Sequence, residues 1–337
     1  MAKKAVTPKS VASKPASAPK RAFSFEELTE TLYKRGTHVS LVDECLRSPY
    51  IDYGYRKTKS IRETFYTLFS FHNETMNIWS HLIGFFCVLV AGYHVISEML
   101  TSRDLHIFEV IAFETFIICA ALCLLLSAVY HWFGCISEAY HNCLLRVDVT
   151  GVGLLVTGSY FPAVYYGFYC SPMLQKVHFG LTIIVFCAGV AAPWIDWKIN
   201  GYEVRPFLLA SLVAIGVIPF GQWLYITPEV YRNEVTKEFV LMFMWYGMGF
   251  SLYLSKMPER FFPKSFLATQ VFASHSLWHL CVLGAVYVSF HFLIQYQALL
   301  KDHGCAAYGY ENTAAEMAEN NISCDASFGN GTCVGSY

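Results

Sequence analysis

Two histidines one helical turn apart, His275 and His279, are the residues of this sequence best placed to bind a metal ion. They lie in the segment 274–279 (SHSLWH), within the run 265–300, which contains no Asp, Glu, Lys or Arg. Side chains at i and i+4 share one face of a helix, so two imidazoles at this spacing can reach one ion. The run is long enough to cross a bilayer, which needs about 20 apolar residues. Because polar side chains within a membrane are costly and usually functional, the pair predicts a site.

The composition predicts a membrane protein. Of 337 residues, 55% are hydrophobic and 15% are charged, and the mean hydropathy is +0.39. Soluble domains carry about 25% charged residues. The net charge of -1 conceals an asymmetry, because 13 of the 24 Lys and Arg fall within the first 62 residues.

Seven apolar segments predict an all-α, polytopic membrane protein: a seven-transmembrane helix bundle. Proline removes a helix donor, so Pro162, Pro193 and Pro219 should kink or end their helices. The predicted spans are 78–97, 107–133, 149–169, 177–195, 206–227, 239–255 and 268–297.

Four regions are predicted. Arg56, Lys57, Lys59 and Arg62 form a basic patch that an anionic cytosolic leaflet would attract; nucleic-acid binding is the rival interpretation of the basic N-terminal region. The regions are a disordered basic arm (1–23), cytosolic juxtamembrane helices (24–77), the seven-span domain (78–297) and a tail (298–337).

The basic N-terminal region predicts a cytosolic N-terminus, since cytosolic loops are enriched in Lys and Arg. The opening residues lack the apolar stretch of a signal peptide. An odd number of spans then places the C-terminus outside the cell or in a lumen, where the glycosylation sequons at 321–323 (NIS) and 330–332 (NGT) would be accessible. Two of the tail cysteines Cys305, Cys324 and Cys333 could pair, whereas the other cysteines are predicted to be packing residues.

The predicted topology brings five polar residues to a similar depth near the cytosolic side. The second span ends with Ser127 and His131, again at i and i+4; the third begins at Asp148; the seventh begins with His275 and His279. A single histidine in a span is usually a packing residue. The combination of three histidines and an aspartate from three helices favours a metal site.

The donor set indicates zinc. Three imidazoles leave the fourth tetrahedral position to water, as in catalytic zinc sites, and zinc lowers the pKa of that water to about 7. Asp148 could orient the water or accept its proton. The Ser127 hydroxyl could hold a neighbouring group or stabilise an oxyanion.

Several sequence blocks resemble the PAQR family, the progestin and adiponectin receptors related to haemolysin III, and most closely the adiponectin-receptor branch. The resemblance covers about residues 50–297. The blocks are GYR at 54–56, FHNETMNIWSHLIG at 71–84, SAVYH at 127–131, DVTG at 148–151, GS at 158–159, PERFFP at 258–263 and HSLWH at 275–279.

The resemblance implies a seven-helix bundle with a cytosolic N-terminus, opposite to G-protein-coupled receptors. It also implies a zinc ion held by His131, His275 and His279, with Asp148 bonded to the zinc-bound water and Ser127 lining the site. Adiponectin receptors are associated with ceramidase activity and carry a further histidine where this chain has Ser289. His291 lies two residues later and should face another direction, so it is excluded as a ligand.

Two functions follow as predictions, and both can hold at once. The first is a zinc-dependent hydrolase acting on a membrane lipid amide of the ceramide class. The second is a signalling receptor, with an unknown extracellular ligand, in which zinc is structural. A zinc transporter would need a second site, for which Glu114 is the one deep carboxylate, and a retinal protein would need a lysine in the seventh span.

Other polar residues near the spans are predicted to be structural. The segment 72–77 (HNETMN) could form a second polar site just beneath the membrane, but the favoured interpretation is structural: its Asn and Thr side chains cap the first span, with Trp79 anchored at the membrane interface. His81 and His94 are interpreted as packing or interface residues.

Overall fold

The computed structural model describes most of the chain between 27 and 305. The predicted basic arm lies outside the described residues, as does most of the tail. Described are residues 27, 30, 31, 33–101, 107–195, 198–199, 202–203, 205–305, 323–324 and 333–334.

The described residues are almost entirely helical. The helices are α1 (Ile61–Tyr66), α2 (Thr75–Thr101), α3 (Ile107–Phe133), α4 (Glu138–Gly167), α5 (Pro172–Ala191), α6 (Arg205–Ile215), α7 (Val217–Ile226), α8 (Glu229–Ser255) and α9 (Ser274–His303). Short 3-10 turns occur at Val39–Leu41, Glu44–Leu46, Thr67–Phe69 and Ala192–Trp194, and a π-helical turn at Leu267–Val271 precedes α9. Among the described residues, two-residue strands form antiparallel pairs. Strand β1 (Lys198–Ile199) pairs with β2 (Tyr202–Glu203), and β3 (Ser323–Cys324) pairs with β4 (Cys333–Val334).

The predicted bundle of membrane-spanning helices is confirmed. Among the described residues, six spans are long and apolar enough to cross a bilayer: α2, α3, α4, α5 with its terminal turn, α6 with α7, and α9. The remaining predicted span lies in α8, which has 27 residues. Five of the first ten residues of α8 are charged, so the uncharged part begins only at Phe239.

Two of the three prolines act as predicted. Pro193 lies in the 3-10 turn that ends α5. Pro219 lies in the first turn of α7, and the break between α6 and α7 falls just before it at Gly216. Pro162 does not end its helix, because α4 continues through it to Gly167, and the kink that was its other predicted effect stays a prediction.

Glycines allow α3, α4 and α5 to pack closely. A Cβ added at Gly153 of α4 would lie 2.5 Å from the carbonyl oxygen of Gly189 in α5. A Cβ at Gly158 would lie 2.3 Å from Cβ of Cys119 in α3. Helix α4 therefore packs tightly between its two neighbours, and α9 contacts α8, α2 and α4.

The segment 33–73 packs against one end of the bundle. Gln270, which is fully buried in the π-helical turn, donates from Nε2 to the carbonyl of Tyr33 at 3.0 Å. Its side chain lies so near Gly54 that a Cβ there would be 2.9 Å away, and Gly54 has a φ of +97°. Both features require glycine at this position. We call this end, with residues 33–73, the proximal end.

A disulfide joins Cys170, just after α4, to Cys305, just after α9, with their Cα atoms 5.5 Å apart. We call this opposite end of the bundle the distal end. The pairing corrects the prediction that Cys170 is a packing residue, and it leaves Cys324 and Cys333 as the two tail cysteines that could pair with each other. Cys123 and Cys281 are buried and free, as predicted for packing residues.

Candidate metal centre

Three histidines that are distant in sequence meet at the proximal end of the bundle. His131 comes from the last turns of α3, and His275 and His279 come from the first turns of α9. One ring nitrogen from each lies within 4.8 Å of the others. His131 is 6% exposed and His279 is 2% exposed. The structure thus brings together all three predicted ligands.

The spacing of the ring nitrogens fits one metal ion. Nε2 of His131 lies 3.2 Å from Nε2 of His275. Two nitrogens bound to one tetrahedral zinc at 2.0–2.1 Å would lie about 3.3 Å apart. The cluster is therefore suited to a tetrahedral ion.

Hydrogen bonds set the orientation of two of the rings. Nδ1 of His131 lies 2.8 Å from Oε2 of Glu74. Nδ1 of His279 lies 3.2 Å from the carbonyl oxygen of Asn77. An ionised carboxylate and a carbonyl only accept, so both Nδ1 atoms carry the proton. Each Nε2 is then left with the lone pair that a metal requires.

Glu74 and Asn77 correct the interpretation of 72–77 as a structural cap alone. Glu74 Oε2 also accepts from Nδ2 of Asn77 at 2.6 Å, and Oδ1 of Asn77 accepts from Ser276 at 2.7 Å. Capping does occur beside them, since Thr75 Oγ1 accepts from the amide of His72 at 2.8 Å. A carboxylate at the boundary of a span is costly. The position of Glu74 just before the first span was therefore the signal in the sequence that could have indicated its role at the site.

Ser127 and Asp148 lie next to the histidines. The Ser127 hydroxyl interacts with the Asp148 carboxylate, which also interacts electrostatically with His131. Ser127 is 3% exposed, whereas Asp148 is partly exposed. Asp148 is not one of the residues within 4.8 Å of one another. It adjoins the predicted ligand set without belonging to it.

The described residues contain no second metal cluster of this kind. Glu114, the carboxylate that a transport pathway would require, is exposed on α3. His291 lies 3.8 Å from Glu238 and outside the cluster, as expected from its position on α9. His81 packs flat on His279, with ring centroids 3.8 Å apart, as a packing residue would.

Both helix ends that carry ligands are held by charged side chains. Arg56 donates to the carbonyls of His131 and Trp132 at 2.6 and 3.0 Å. Glu259 accepts from the amide of Ser274 at 2.7 Å and from its hydroxyl. Glu259 is 2% exposed, and its carboxylate stabilises the positive end of the α9 dipole.

The position of Arg56 also corrects a prediction. The sequence placed it in a basic patch facing the membrane, but its side chain is buried, whereas Lys57, Lys59 and Arg62 are exposed. Burial lowers the pKa of Arg56, yet a guanidinium remains charged in proteins. Its charge caps α3 instead of meeting lipid.

A polar cavity of about 90 Å³ reaches His131 from the proximal end. Its wall includes Glu74, His131, Tyr130, His141 and Arg56. Residues 45–48 also line it. Water at the proximal end can therefore approach His131.

Comparison with known proteins places the chain among multi-pass membrane proteins. A family model described as haemolysin-III related matches residues 69–290. The chain is 30% identical over 260 residues to progestin and adipoQ receptor family member 3 of Mus musculus, covering 74% of this chain and 80% of the relative. It is 33% identical over 251 residues to progestin and adipoQ receptor-like protein 1 of Caenorhabditis elegans, covering 72% and 56%. It is 30% identical over 240 residues to the adiponectin receptor protein of Drosophila melanogaster, covering 69% and 52%.

Proposed function

Because the chain belongs to the haemolysin III-related family, we propose that it is an adiponectin-receptor-like membrane protein that binds zinc at its proximal end and hydrolyses a lipid amide. Ceramide is the proposed substrate class, and the released lipid is the proposed signal. The observation that carries the proposal is the group of three ring nitrogens within 4.8 Å of one another. His131, His275 and His279 are the proposed ligands.

The residues beside the ligands suit amide hydrolysis. Bound zinc would supply water activated for attack at neutral pH. The Asp148 carboxylate would orient that water and accept its proton, and would later return the proton to the leaving amine. The Ser127 hydroxyl donates its one proton to ionised Asp148. Once Asp148 has accepted the proton of the water and no longer needs this donor, the hydroxyl would be free to donate to the negative charge that develops on the amide oxygen.

The position of the site suits a lipid. The ligands lie at one end of the spanning helices, so long acyl chains could remain in the bilayer while the amide reaches the histidines. The polar cavity of about 90 Å³ beside His131 would admit water and the polar part of the substrate from the proximal end. A soluble amide has no acyl chains that could remain in the bilayer, so this position would give it no such advantage.

Ceramide turnover by the purified protein tests the hydrolase. His275→Ala and Asp148→Ala should each abolish turnover, because one removes a ligand and the other removes the proposed proton acceptor. His291→Ala is the matched control, since this histidine is on the same helix but outside the cluster. Turnover that persists in both site variants would contradict the proposed chemistry.

Metal analysis tests the zinc site separately. The wild type should contain one zinc per chain, and the double variant His131→Ala, His275→Ala should contain none. His291→Ala should retain the metal. Equal zinc in the wild type and the double variant would overturn the assignment of the ligands.

A non-catalytic receptor with structural zinc is the second candidate, and the names of the relatives favour it, since they are called receptors. Asp148→Asn separates the two candidates. A receptor should still signal with this variant although any hydrolysis is lost. If the lipid product is the signal, hydrolysis and signalling should disappear together.

The proposed orientation places the proximal end in the cytosol and the distal end outside the cell or in a lumen. The 13 Lys and Arg of the first 62 residues support it, as does a disulfide at the distal end, because disulfides persist in oxidising compartments. Asn321 and Asn330 should then be glycosylated in cells. Asn321→Gln with Asn330→Gln should remove a mobility shift that glycosidase also removes; protease access to the tail in intact cytosol-side-out vesicles would contradict this orientation.

A further inference from the structure

Among the described residues, Glu74 is the carboxylate that is hydrogen-bonded to a ring of the histidine cluster. It immediately precedes α2, and its side chain is 26% exposed. Oε2 lies 2.8 Å from Nδ1 of His131 and accepts from Nδ2 of Asn77 at 2.6 Å. A carboxylate held by an amide and bonded to one imidazole has little freedom to turn.

Asn77 extends the same arrangement to the second helix. Its backbone carbonyl faces Nδ1 of His279 at 3.2 Å, and its Oδ1 accepts from Ser276 at 2.7 Å. Glu74 and the first turn of α2 therefore contact α3 through His131 and α9 through His279. Helix α2 supplies no ligand itself, yet it connects the two helices that do.

These contacts decide which nitrogen faces the metal. A neutral imidazole carries its proton on either nitrogen, and only the other nitrogen can bind a metal. Acceptors at Nδ1 of His131 and His279 keep the proton there and leave Nε2 unprotonated. In metalloproteins such partners raise the basicity of the ligand, and their loss typically costs 10–100-fold in metal affinity.

We propose that Glu74 and Asn77 are positioning residues, which hold His131 and His279 with Nε2 towards the zinc ion. The proposal rests on the proposed zinc site. It assigns to Glu74 and the start of α2 a function that is independent of substrate. Glu74 sets the affinity for the ion through His131. Asn77 holds Glu74 with its side chain and His279 with its backbone.

The binding constant for zinc in the purified full-length protein tests this role without any activity assay. Glu74→Ala should weaken zinc binding 10–100-fold, measured by competition with a chelator. Glu74→Gln, which has nearly the same shape and keeps an acceptor oxygen, should lie between Glu74→Ala and the wild type. Asn77→Ala should cost less than Glu74→Ala, because the backbone carbonyl that faces His279 remains.

Glu109→Gln is the matched control. Glu109 lies near the other end of α3 and accepts from Nε2 of Gln297 at 2.6 Å, so this variant alters a comparable carboxylate contact far from the histidines. It should bind zinc as tightly as the wild type. Melting of the metal-free proteins, measured in parallel, separates loss of affinity from loss of folding.

Cobalt substitution supplies a spectroscopic readout. Cobalt in the wild type should give the visible absorption of a tetrahedral ion, and this band should shift in both Glu74 variants but not in Glu109→Gln. If Glu74→Ala does not fold, the zinc affinity and the cobalt spectrum of Glu74→Gln test the proposal instead. Unchanged zinc affinity and cobalt spectrum in the folded Glu74 variants would overturn the positioning role alone. A wild type that binds no zinc would overturn the proposed function together with it.

Discussion

The guanidinium of Arg56 donates to the carbonyl of His131 at 2.6 Å, and so connects the segment before α1 to the end of the helix that carries a metal ligand. The last carbonyls of a helix have no partner within the helix. Arg56 satisfies two of them and also donates to Thr67 at 2.9 Å. The N-terminal segment is thus part of the support of the site.

Arg56→Ala should destabilise the protein by about 2–4 kcal/mol, because buried carbonyls lose a charged donor. Arg56→Lys should recover only part of this loss, since an ammonium cannot contact the carbonyls and Thr67 with the same planar fork. Thermal unfolding in detergent measures both. Lys57→Ala, an exposed neighbour, is the control and should unfold like the wild type; a similar loss in that variant would contradict a specific role for Arg56.

The Glu259 carboxylate holds the beginning of α9 by accepting from Ser274, the residue just before His275. Glu259→Ala should lower the stability by about 1–3 kcal/mol, because the amide of Ser274 loses its buried partner. Glu259→Gln keeps an acceptor but loses the interaction of a charge with the helix dipole, and should cost about 1 kcal/mol. The experiment is thermal unfolding with and without zinc. A Gln variant less stable than the Ala variant would be incompatible with this capping role.

The parts of the site that the sequence predicted are those with local patterns. His275 and His279 share a helix face, and His131 lies at a helix end that topology brings to the same depth. Arg56, Glu74 and Glu259 have no such pattern. Each acts on a segment elsewhere in the chain: Arg56 on a carbonyl 75 residues later, Glu74 on a ring 57 residues later. A contact of that kind depends on how the helices pack, which residue types and spacing do not determine.

As with the site, the features of the fold that could be predicted are those with a local sequence pattern, and those that depend on packing could not be predicted. Length and hydropathy predicted the spans because a bilayer requires them, but the break at Gly216 and the uninterrupted passage of α4 through Pro162 depend on packing. The pairing of Cys170 with Cys305 also requires knowing that the ends of α4 and α9 adjoin.

Gly153→Ala should separate α4 from α5. The new Cβ would lie 2.5 Å from the backbone oxygen of Gly189, which cannot turn aside as a side chain could. Overpacking of this kind typically costs about 1–3 kcal/mol. Gly180→Ala is a matched control on α5, where a Cβ meets nothing within 4 Å, and should be neutral or slightly stabilising. Comparing the melting temperatures of the two variants provides the test; equal values would argue against close contact.

The disulfide of Cys170 and Cys305 should form in cells and stabilise the distal end. Cys170→Ser and Cys305→Ser should each lower the melting temperature, and a reductant should lower that of the wild type by a similar amount, because all three release the same loop. Cys87→Ser, which removes an exposed free thiol, should have no effect. Labelling of denatured protein with a maleimide, before and after reduction, should reveal two more new thiols in the wild type than in Cys170→Ser; equal numbers would rule the bond out.

His72 should make the fold sensitive to acid. It is 3% exposed, and burial together with the charge of Arg56 lowers the pKa of its imidazole from 6.5 to about 3. The unfolded chain therefore binds a proton below pH 6.5 that the folded chain does not bind until about pH 3. The contribution of neutral His72 is complete above pH 6.5, and it falls by about 1.4 kcal/mol per pH unit as the pH is lowered through that window.

His72→Gln should make this dependence less steep, because glutamine does not titrate and its oxygen can still accept the amide of Glu74, which contacts Nδ1 of His72 at 3.2 Å. The measurement is chemical unfolding of the metal-free protein between pH 7.5 and 5, so that loss of zinc does not contribute. His303→Gln, at an exposed position near the end of α9, should retain the slope of the wild type. If His72→Gln and the wild type lose stability in parallel, the acid sensitivity arises from other groups.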